Sequence, residues 1–201
     1  MCIRDRDKCQ AGLEADPYLA HNLTEIERSA TEAMTIMRDS LYHLRPIRVV
    51  PVDIAECVAE AINTTDLPVG VHVQQAGLSS LPPVAAGPRR LALVFANLLE
   101  NAAAAMESQG VITVSGTLAG NWVEVSVTDT GPGIPTELHE RIFDFNFSSR
   151  QAHAGKLGFG LWWVKTLMAR FGGSVTVQSD GQHSTTFVLK LPAEPASSPT
   201  R

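Results

Sequence analysis

The sequence predicts an α+β fold, a two-layer α/β sandwich preceded by one long N-terminal helix. Three observations predict it. Segments with a helical apolar period are interspersed with short β-branched segments whose apolar residues alternate. The strands come in consecutive pairs, 111–117 with 122–128 and 174–178 with 185–191, set apart by helices rather than woven into repeated strand–helix units. No internal repeat is present, and 201 residues allow one core of about 100–150 residues plus one additional element.

Along 17–44, Leu19, Leu23, Ile26, Ala30, Ala33, Met37, Leu41 and Leu44 recur at helical steps, with Glu25, Glu27, Arg28, Glu32, Arg38 and Asp39 between them. Asp16-Pro17 starts this helix and Pro46 blocks its continuation. So narrow an apolar stripe calls for a helical hairpin or a dimeric bundle, or else for packing on the helix's own domain. Residues 1–16 read as a disordered or non-native leader. Residues 47–51 form an extended hinge, and 52–63 a helix with Asp53 and Glu56 in its first turn, where the dipole favours acids.

The alternation VHVQ makes 69–74 a strand, and 81–88 is a proline-broken connection. A helix follows over 89–106, then the first strand pair with its turn at Ala119-Gly120-Asn121. A glycine-rich loop and a short helix at 136–142 lead into an irregular stretch, 146–157. The helix over 159–171 is stopped by Gly172-Gly173. The second strand pair ends the domain, 47–192, and the Pro/Ser-rich tail 193–201 is expected to be disordered.

Composition excludes several classes. Apolar residues at 44% and charged residues at 18% mark an ordinary globular chain. A net charge of −5 gives no broad basic footprint, which argues against nucleic acid as a partner. No apolar run approaches the roughly 18–20 residues that cross a bilayer, and the charged start MCIRDRD is no signal peptide. Three cysteines, Cys2, Cys9 and Cys57, make no Cys-x-x-Cys pair, so a disulfide framework is not expected and a cytoplasmic location suits them. A bound polyanion would have to be held locally.

Three constellations offer such a hold. In Asn97-Leu98-Leu99-Glu100-Asn101-Ala102 the two asparagines share one helix face, about 40° apart. Leu91, Phe95, Leu98, Ala102 and Ala105 form a separate core stripe. An amide oxygen is a hard ligand suited to Mg²⁺; a solvated polar stripe is the alternative. Asp129-Thr130-Gly131-Pro132-Gly133-Ile134-Pro135 follows the strand WVEVSVT. There a carboxylate can accept from the exocyclic amine of adenine while Gly131 and Gly133 let the backbone approach a flat base, or the segment is a plain turn. Gly155-Lys156-Leu157-Gly158-Phe159-Gly160-Leu161 opens a helix, exposing N–H groups and the positive dipole end to phosphates, with Lys156 and Arg150 adding charge. Its order is not that of a P-loop.

Taken in order, with Glu140-Arg141-Ile142-Phe143-Asp144-Phe145 between the second and third, these segments resemble the N, G1, F and G2 boxes of the sensor histidine kinase catalytic domain. That domain belongs to the GHKL superfamily, with DNA gyrase and Hsp90, and the resemblance covers about 49–192. It implies an ATP-binding domain of GHKL type with ATP and Mg²⁺ as cofactors. Asn101 would coordinate Mg²⁺. Asp129, Gly131, Gly133 and Thr185 would form the adenine pocket, and Arg150, Lys156, Gly158, Gly160 and Leu161 the phosphate end. Asn97 stands where hydrolysing relatives carry a glutamate, and an amide is no general base at neutral pH, which favours phosphoryl transfer over hydrolysis. Glu100 would orient a water or the incoming imidazole, and 146–157 would be the ATP lid. The F box departs from the family in reading Phe143-Asp144-Phe145-Asn146-Phe147, the G2 box carries Phe159 where leucine is usual, and Ser184 stands where glycine is common.

The resemblance also requires a phosphoacceptor histidine followed by an acid, a base and a proline. None of the six histidines, His21, His43, His72, His139, His153 and His183, has that context. In His43-Leu44-Arg45-Pro46 the base and proline come too early and no acid follows. The expectation is therefore that 17–46 is the second helix of the dimerisation hairpin, with the acceptor upstream. The implied assembly is a homodimer through this helix, its partner a response regulator receiver domain, and any membrane attachment lies in upstream regions. Two other readings compete: a free-standing regulatory GHKL protein kinase of anti-sigma type, which needs no long N-terminal helix, and an ATP-binding module without kinase activity.

Overall fold

The computed structural model describes Tyr18 and residues 21–26, 47–107, 109–145, 147 and 159–194. The chain divides between 46 and 47 into two units. In the first, Tyr18 and residues 21–26 are helical, and Ile26 is 62% exposed. The remainder of the expected 17–44 helix, with the leader, lies outside the described residues.

The second unit runs β1 (Val50–Val52), α1 (Ile54–Thr64), β2 (Gly70–Ala76), β3 (Val84–Ala86), α2 (Pro88–Ala105), β4 (Gln109–Ala119), β5 (Trp122–Asp129), α3 (Gly160–Arg170), β6 (Ser174–Ser179) and β7 (Thr185–Pro192). Single 3-10 turns stand at Thr136–Leu138 and Arg141–Phe143. Five strands form one sheet in the order β2-β4-β5-β7-β6, with β2 parallel to β4 and the other neighbours antiparallel.

One sheet face is apolar. Val123, Val125 and Val127 of β5 lie opposite Leu191, Leu189 and Phe187 of β7, all buried in one core with α1, α2 and α3. The other face is polar and partly open: Thr128 and Thr186 share a hydrogen bond at 2.9 Å, and Lys190 pairs with Glu124 at 2.7 Å. The two-layer α+β sandwich read from the sequence is the fold observed.

Helix ends follow local chemistry. Asp53 stands just outside α1 rather than in its first turn, and its carboxylate accepts from Ala55 N at 2.7 Å. Pro88 opens α2 after Gly87, a position where the missing N–H costs nothing. α3 ends in a Schellman motif: Gly172 takes φ +72°, Gly172 N donates to Ala169 O and Gly173 N to Met168 O. α2 is the spine of the core, and its buried Leu91, Phe95, Leu98 and Leu99 each contribute about 1.5–3 kcal/mol.

Four expectations are corrected. The hinge 47–51 and the connection 81–88 each contain a strand, β1 and β3, paired antiparallel with Val52 opposite Val84. Pro51 is tolerated because a two-stranded ribbon leaves it on an edge, and each segment becomes a strand only through the other. The helix at 136–142 is two 3-10 turns, closed by Leu138 N to Pro135 O and Asp144 N to Arg141 O; neither is long enough to propagate an α-helix. The strand expected at 69–74 begins at Gly70 and runs to Ala76, with Val69 98% exposed. The tail is ordered as far as Glu194, because Ala193 N donates to Asn121 O and Glu194 N to Pro83 O, both at 2.8 Å. Residues 195–201 lie outside the described residues.

Candidate functional site

α2 gathers the site along one side. Asn97 and Asn101 are half-buried there, on a face apart from the core stripe. Asn97 Nδ2 donates to Leu93 O at 2.9 Å, one turn back, which fixes the amide plane. The first residue of α3, Gly160, packs onto this pair: a Cβ there would lie 2.8 Å from Asn97 Oδ1 and 3.7 Å from Asn101 Nδ2. Asn101 Nδ2 is buried with no hydrogen-bond partner among the described residues. Glu100, between the two, is exposed.

The start of α3 has no side-chain cap among the described residues. Phe159 at its N-cap offers no capping side chain, and no acid stands in its first turn. Its opening N–H groups and dipole therefore point out beside the asparagines, an arrangement suited to an anion. Leu161 is half-buried and packs on the core behind that turn. Arg150, Lys156 and Gly158, with most of the expected lid, lie outside the described residues.

Near the last turn of α2 lies a row of strand ends. In register across the sheet stand Ile112, Asp129, Thr185 and Ser179, on the face that α2 covers. Asp129 is 2% exposed and Thr185 3%. Asp129 Oδ1 accepts from Gly131 N at 2.9 Å, which turns the chain sharply after β5. Gly131 leans on the last turn of α2, where a Cβ would lie 3.4 Å from Ala105 Cβ and 3.5 Å from Met106 Cγ. Gly133 needs to be glycine: its φ is +78°, and a Cβ would fall 2.7 Å from Gln182 N.

The structure thus brings Asn97, Asn101, Gly160 and Leu161 together along the second half of α2, and sets Gly131, which follows Asp129, against its last turn. It also adds residues not singled out in the sequence. Ser179 Oγ accepts from Ile134 N at 2.9 Å, and Thr130 Oγ1 accepts from Val111 N at 3.1 Å while donating to the Met106 thioether. Both are small hydroxyl residues in strands or turns, and only their long-range partners reveal them. The β6–β7 turn that faces Gly133 is stiffened by Asp180. Its carboxylate accepts from the N–H groups of Gln182 and His183, which hold it well below the usual carboxylate range.

Comparison with known proteins gives the family. Residues 86–195 match the family described as histidine kinase-, DNA gyrase B-, and HSP90-like ATPase. The adaptive-response sensory kinase SasA of Synechococcus sp. (strain CC9311) is 31% identical over 195 residues, 94% of this chain and 48% of that protein. The sensor histidine kinase ZraS of Escherichia coli (strain K12) is 37% identical over 113 residues, 56% of this chain and 24% of that protein. The chain therefore spans about half or less of the length of these relatives. Among solved structures, full-length ShkA in complex with AMPPNP superimposes with a TM-score of 0.66 at 27% identity, covering 78% of this chain and 34% of that one. The mycobacterial sensor histidine kinase MprB shares the fold at a TM-score of 0.63 and 24% identity, over 74% of this chain and 99% of that one. With more than half of its length matched, this chain belongs to the histidine kinase-, DNA gyrase B- and HSP90-like ATPase family.

Proposed function

We propose that this chain is the ATP-binding catalytic core of a two-component sensor histidine kinase, passing the γ-phosphoryl group of ATP to a histidine. The observation that carries the reading is the buried amide nitrogen of Asn101, without a hydrogen-bond partner among the described residues, beside the start of α3, which has no side-chain cap among them. An unsatisfied buried polar group costs about 1–3 kcal/mol, so a ligand that satisfies it is favoured at that place.

The residues present fit Mg²⁺. Nitrogen and oxygen exchange when a side-chain amide turns over, so Asn101 can offer either an oxygen to a cation or an N–H to a phosphate oxygen. Mg²⁺ bound there would supply charge neutralisation at the phosphates. The opening N–H groups of α3, with Gly158, Gly160 and Leu161, take the phosphate oxygens, and Arg150 and Lys156 add positive charge. At the far end, Asp129 accepts from the adenine amine, Thr185 backs the base, and Gly131 and Gly133 form its walls. Catalysis is then positioning of the γ-phosphoryl group toward an incoming nucleophile.

Asn97 supports transfer rather than hydrolysis. Its amide cannot take a proton from water, and its N–H is already committed to Leu93 O. Glu100, exposed next to the asparagine stripe, orients the acceptor imidazole. That acceptor is none of the six histidines in this chain. The 17–46 helix pairs two copies, a response regulator receives the phosphoryl group, and the domain works in the cytoplasm. Among the described residues no helix is long and apolar enough to cross a membrane.

Mg-ATP affinity of the chain, of Asp129→Asn and of Asn101→Ala tests the site. A loss of about tenfold or more is expected in each variant, and undiminished binding in both overturns the assignment. Transfer is tested by mixing the chain with a separately made acceptor hairpin from a related kinase. Acid-labile phosphate on histidine is expected, and its absence despite bound ATP argues for an ATP-binding module alone.

A further inference from the structure

We infer that Ser179 is a positioning residue for adenine recognition, hanging the 131–134 loop from the β6–β7 turn and so setting the base selectivity of the pocket. The inference rests on the nucleotide reading above and extends it to a residue outside the pocket motifs.

The Ser179 hydroxyl uses every hydrogen-bonding capacity it has. It accepts from Ile134 N at 2.9 Å and from Gly181 N at 3.2 Å, and it donates to Ser184 O. The loop after Asp129 is therefore fixed at two points. At its start Gly131 N is bonded to Asp129 Oδ1, and at its end Ile134 N is bonded to Ser179 Oγ. Between them Gly133 lies flat against the turn, where its missing Cβ would meet Ser179 Oγ, Gln182 N and Gly181 C, all within 2.8 Å. His139 Nε2 donates to Ile134 O at 3.0 Å from the other side, so the Ile134 peptide is held through both its polar groups.

The same serine ties the loop to the strand row. Ser179 stands opposite Thr185 in the β6–β7 register, and Thr185 opposite Asp129 in the β5–β7 register. Three residues side by side thus carry the carboxylate, the buried hydroxyl and the loop anchor. Selectivity for adenine depends on where the carboxylate points and how close the wall stands. Both depend on the Gly131–Asp129 bond, and the far end of that loop depends on Ser179. None of these hydrogen bonds involves α3 or the asparagines.

The experiment compares Ser179→Ala with Ser179→Thr, which keeps the hydroxyl and suits a strand. Binding of ATP, GTP and inorganic tripolyphosphate, each with Mg²⁺, is measured by competition against a fluorescent nucleotide. Ser179→Ala is expected to bind ATP about 5–20-fold more weakly and to lose much of the ATP-over-GTP preference. Tripolyphosphate affinity should stay as in the parent chain, and Ser179→Thr should restore ATP binding. If Ser179→Ala does not fold, Ser179→Cys serves, because a thiol of similar size is a poor acceptor.

Parent-like ATP affinity and selectivity in folded Ser179→Ala overturn the assignment, and so does an equal loss of ATP and tripolyphosphate. Asp129→Asn is measured in parallel to separate the two claims. Weakened Asp129→Asn beside unaltered Ser179→Ala overturns the role of Ser179 alone. Undiminished Asp129→Asn overturns the adenine end of the site, and the Ser179 role with it.

Discussion

Gly160 approaches Asn97 so closely that a methyl group in its place would come within 2.8 Å of the Asn97 side-chain oxygen. The amide is not free to swing away, since its nitrogen is bonded to Leu93 O at 2.9 Å. Two effects of Gly160→Ala oppose each other. Alanine favours the helix by about 0.8–1 kcal/mol, whereas the contact pushes α3 off α2 at a cost of about 1–3 kcal/mol. Net stability should therefore fall by about 2 kcal/mol at most. Nucleotide affinity has no such offset, because the displaced N–H groups lie at the proposed phosphate end. A loss of about fivefold or more in ATP affinity is expected by calorimetry. Parent-like affinity would sink the close packing as a functional feature.

How far this was legible in the sequence depends on the range of the forces involved. The places of Asn101 on a helix and Asp129 at a strand end were readable because a helix period and a strand end are local properties. The same holds for the Gly172-Gly173 stop, which forms the motif its composition implies. β1 and β3 were not readable, because Pro51 and Pro83 disfavour strands locally and only their mutual pairing makes them so. The parallel alignment of β2 with β4 is likewise a long-range fact with no local mark. Ser179 shows the limit most plainly: a serine in SVTVQS has nothing to distinguish it until Ile134, distant in sequence, is found bonded to it.

Thr185 tests the proposed adenine end without disturbing the fold. It is 3% exposed and directly opposite Asp129. Thr185→Val exchanges a hydroxyl for a methyl at nearly the same volume, in a strand where valine is welcome. Thermal stability should hold or rise. ATP affinity should drop about three- to tenfold, the worth of one neutral hydrogen bond. If melting temperature falls and affinity does not, the hydroxyl supports the sheet rather than the base.

Glu107 is the one described non-glycine residue with positive φ, at 52°. It follows the C-cap of α2, Met106, where glycine is the usual occupant. Its carboxylate also stands at the negative end of the helix dipole. Glu107→Gly should stabilise the chain by about 0.5–1 kcal/mol, after allowing for the added freedom of the unfolded glycine. That is about 1–4 °C in melting temperature. The side chain is exposed, so ATP affinity should not change. A lower melting temperature would show that Glu107 makes a contact worth more than its strain.

Cys57 gives the pH dependence. Its thiol lies in the core beside α2, reaching Pro88 O at 3.6 Å, and burial pushes its pKa up to about 12, with Glu60, Asp53 and Glu56 acting in the same sense. In the unfolded chain a thiol ionises near about 8.5. Below that pH both states are protonated and the full stability is present. As pH rises from about 8.5 towards about 12 the unfolded state loses its proton first, so this group withdraws stability across that window. Urea unfolding between pH 8 and 11 should show a steeper alkaline decline for the parent than for Cys57→Ala, with Cys2 and Cys9 replaced by serine in both. The native thiol should also react with an aromatic disulfide only as fast as the domain opens, since a buried neutral thiol is no nucleophile. Rapid labelling at pH 8 without denaturant, or identical alkaline slopes, would refute the account. Rapid labelling would mean that α1 and α2 part locally at Cys57 while the rest of the core stays closed, and identical slopes that the folded thiol ionises as the unfolded one does.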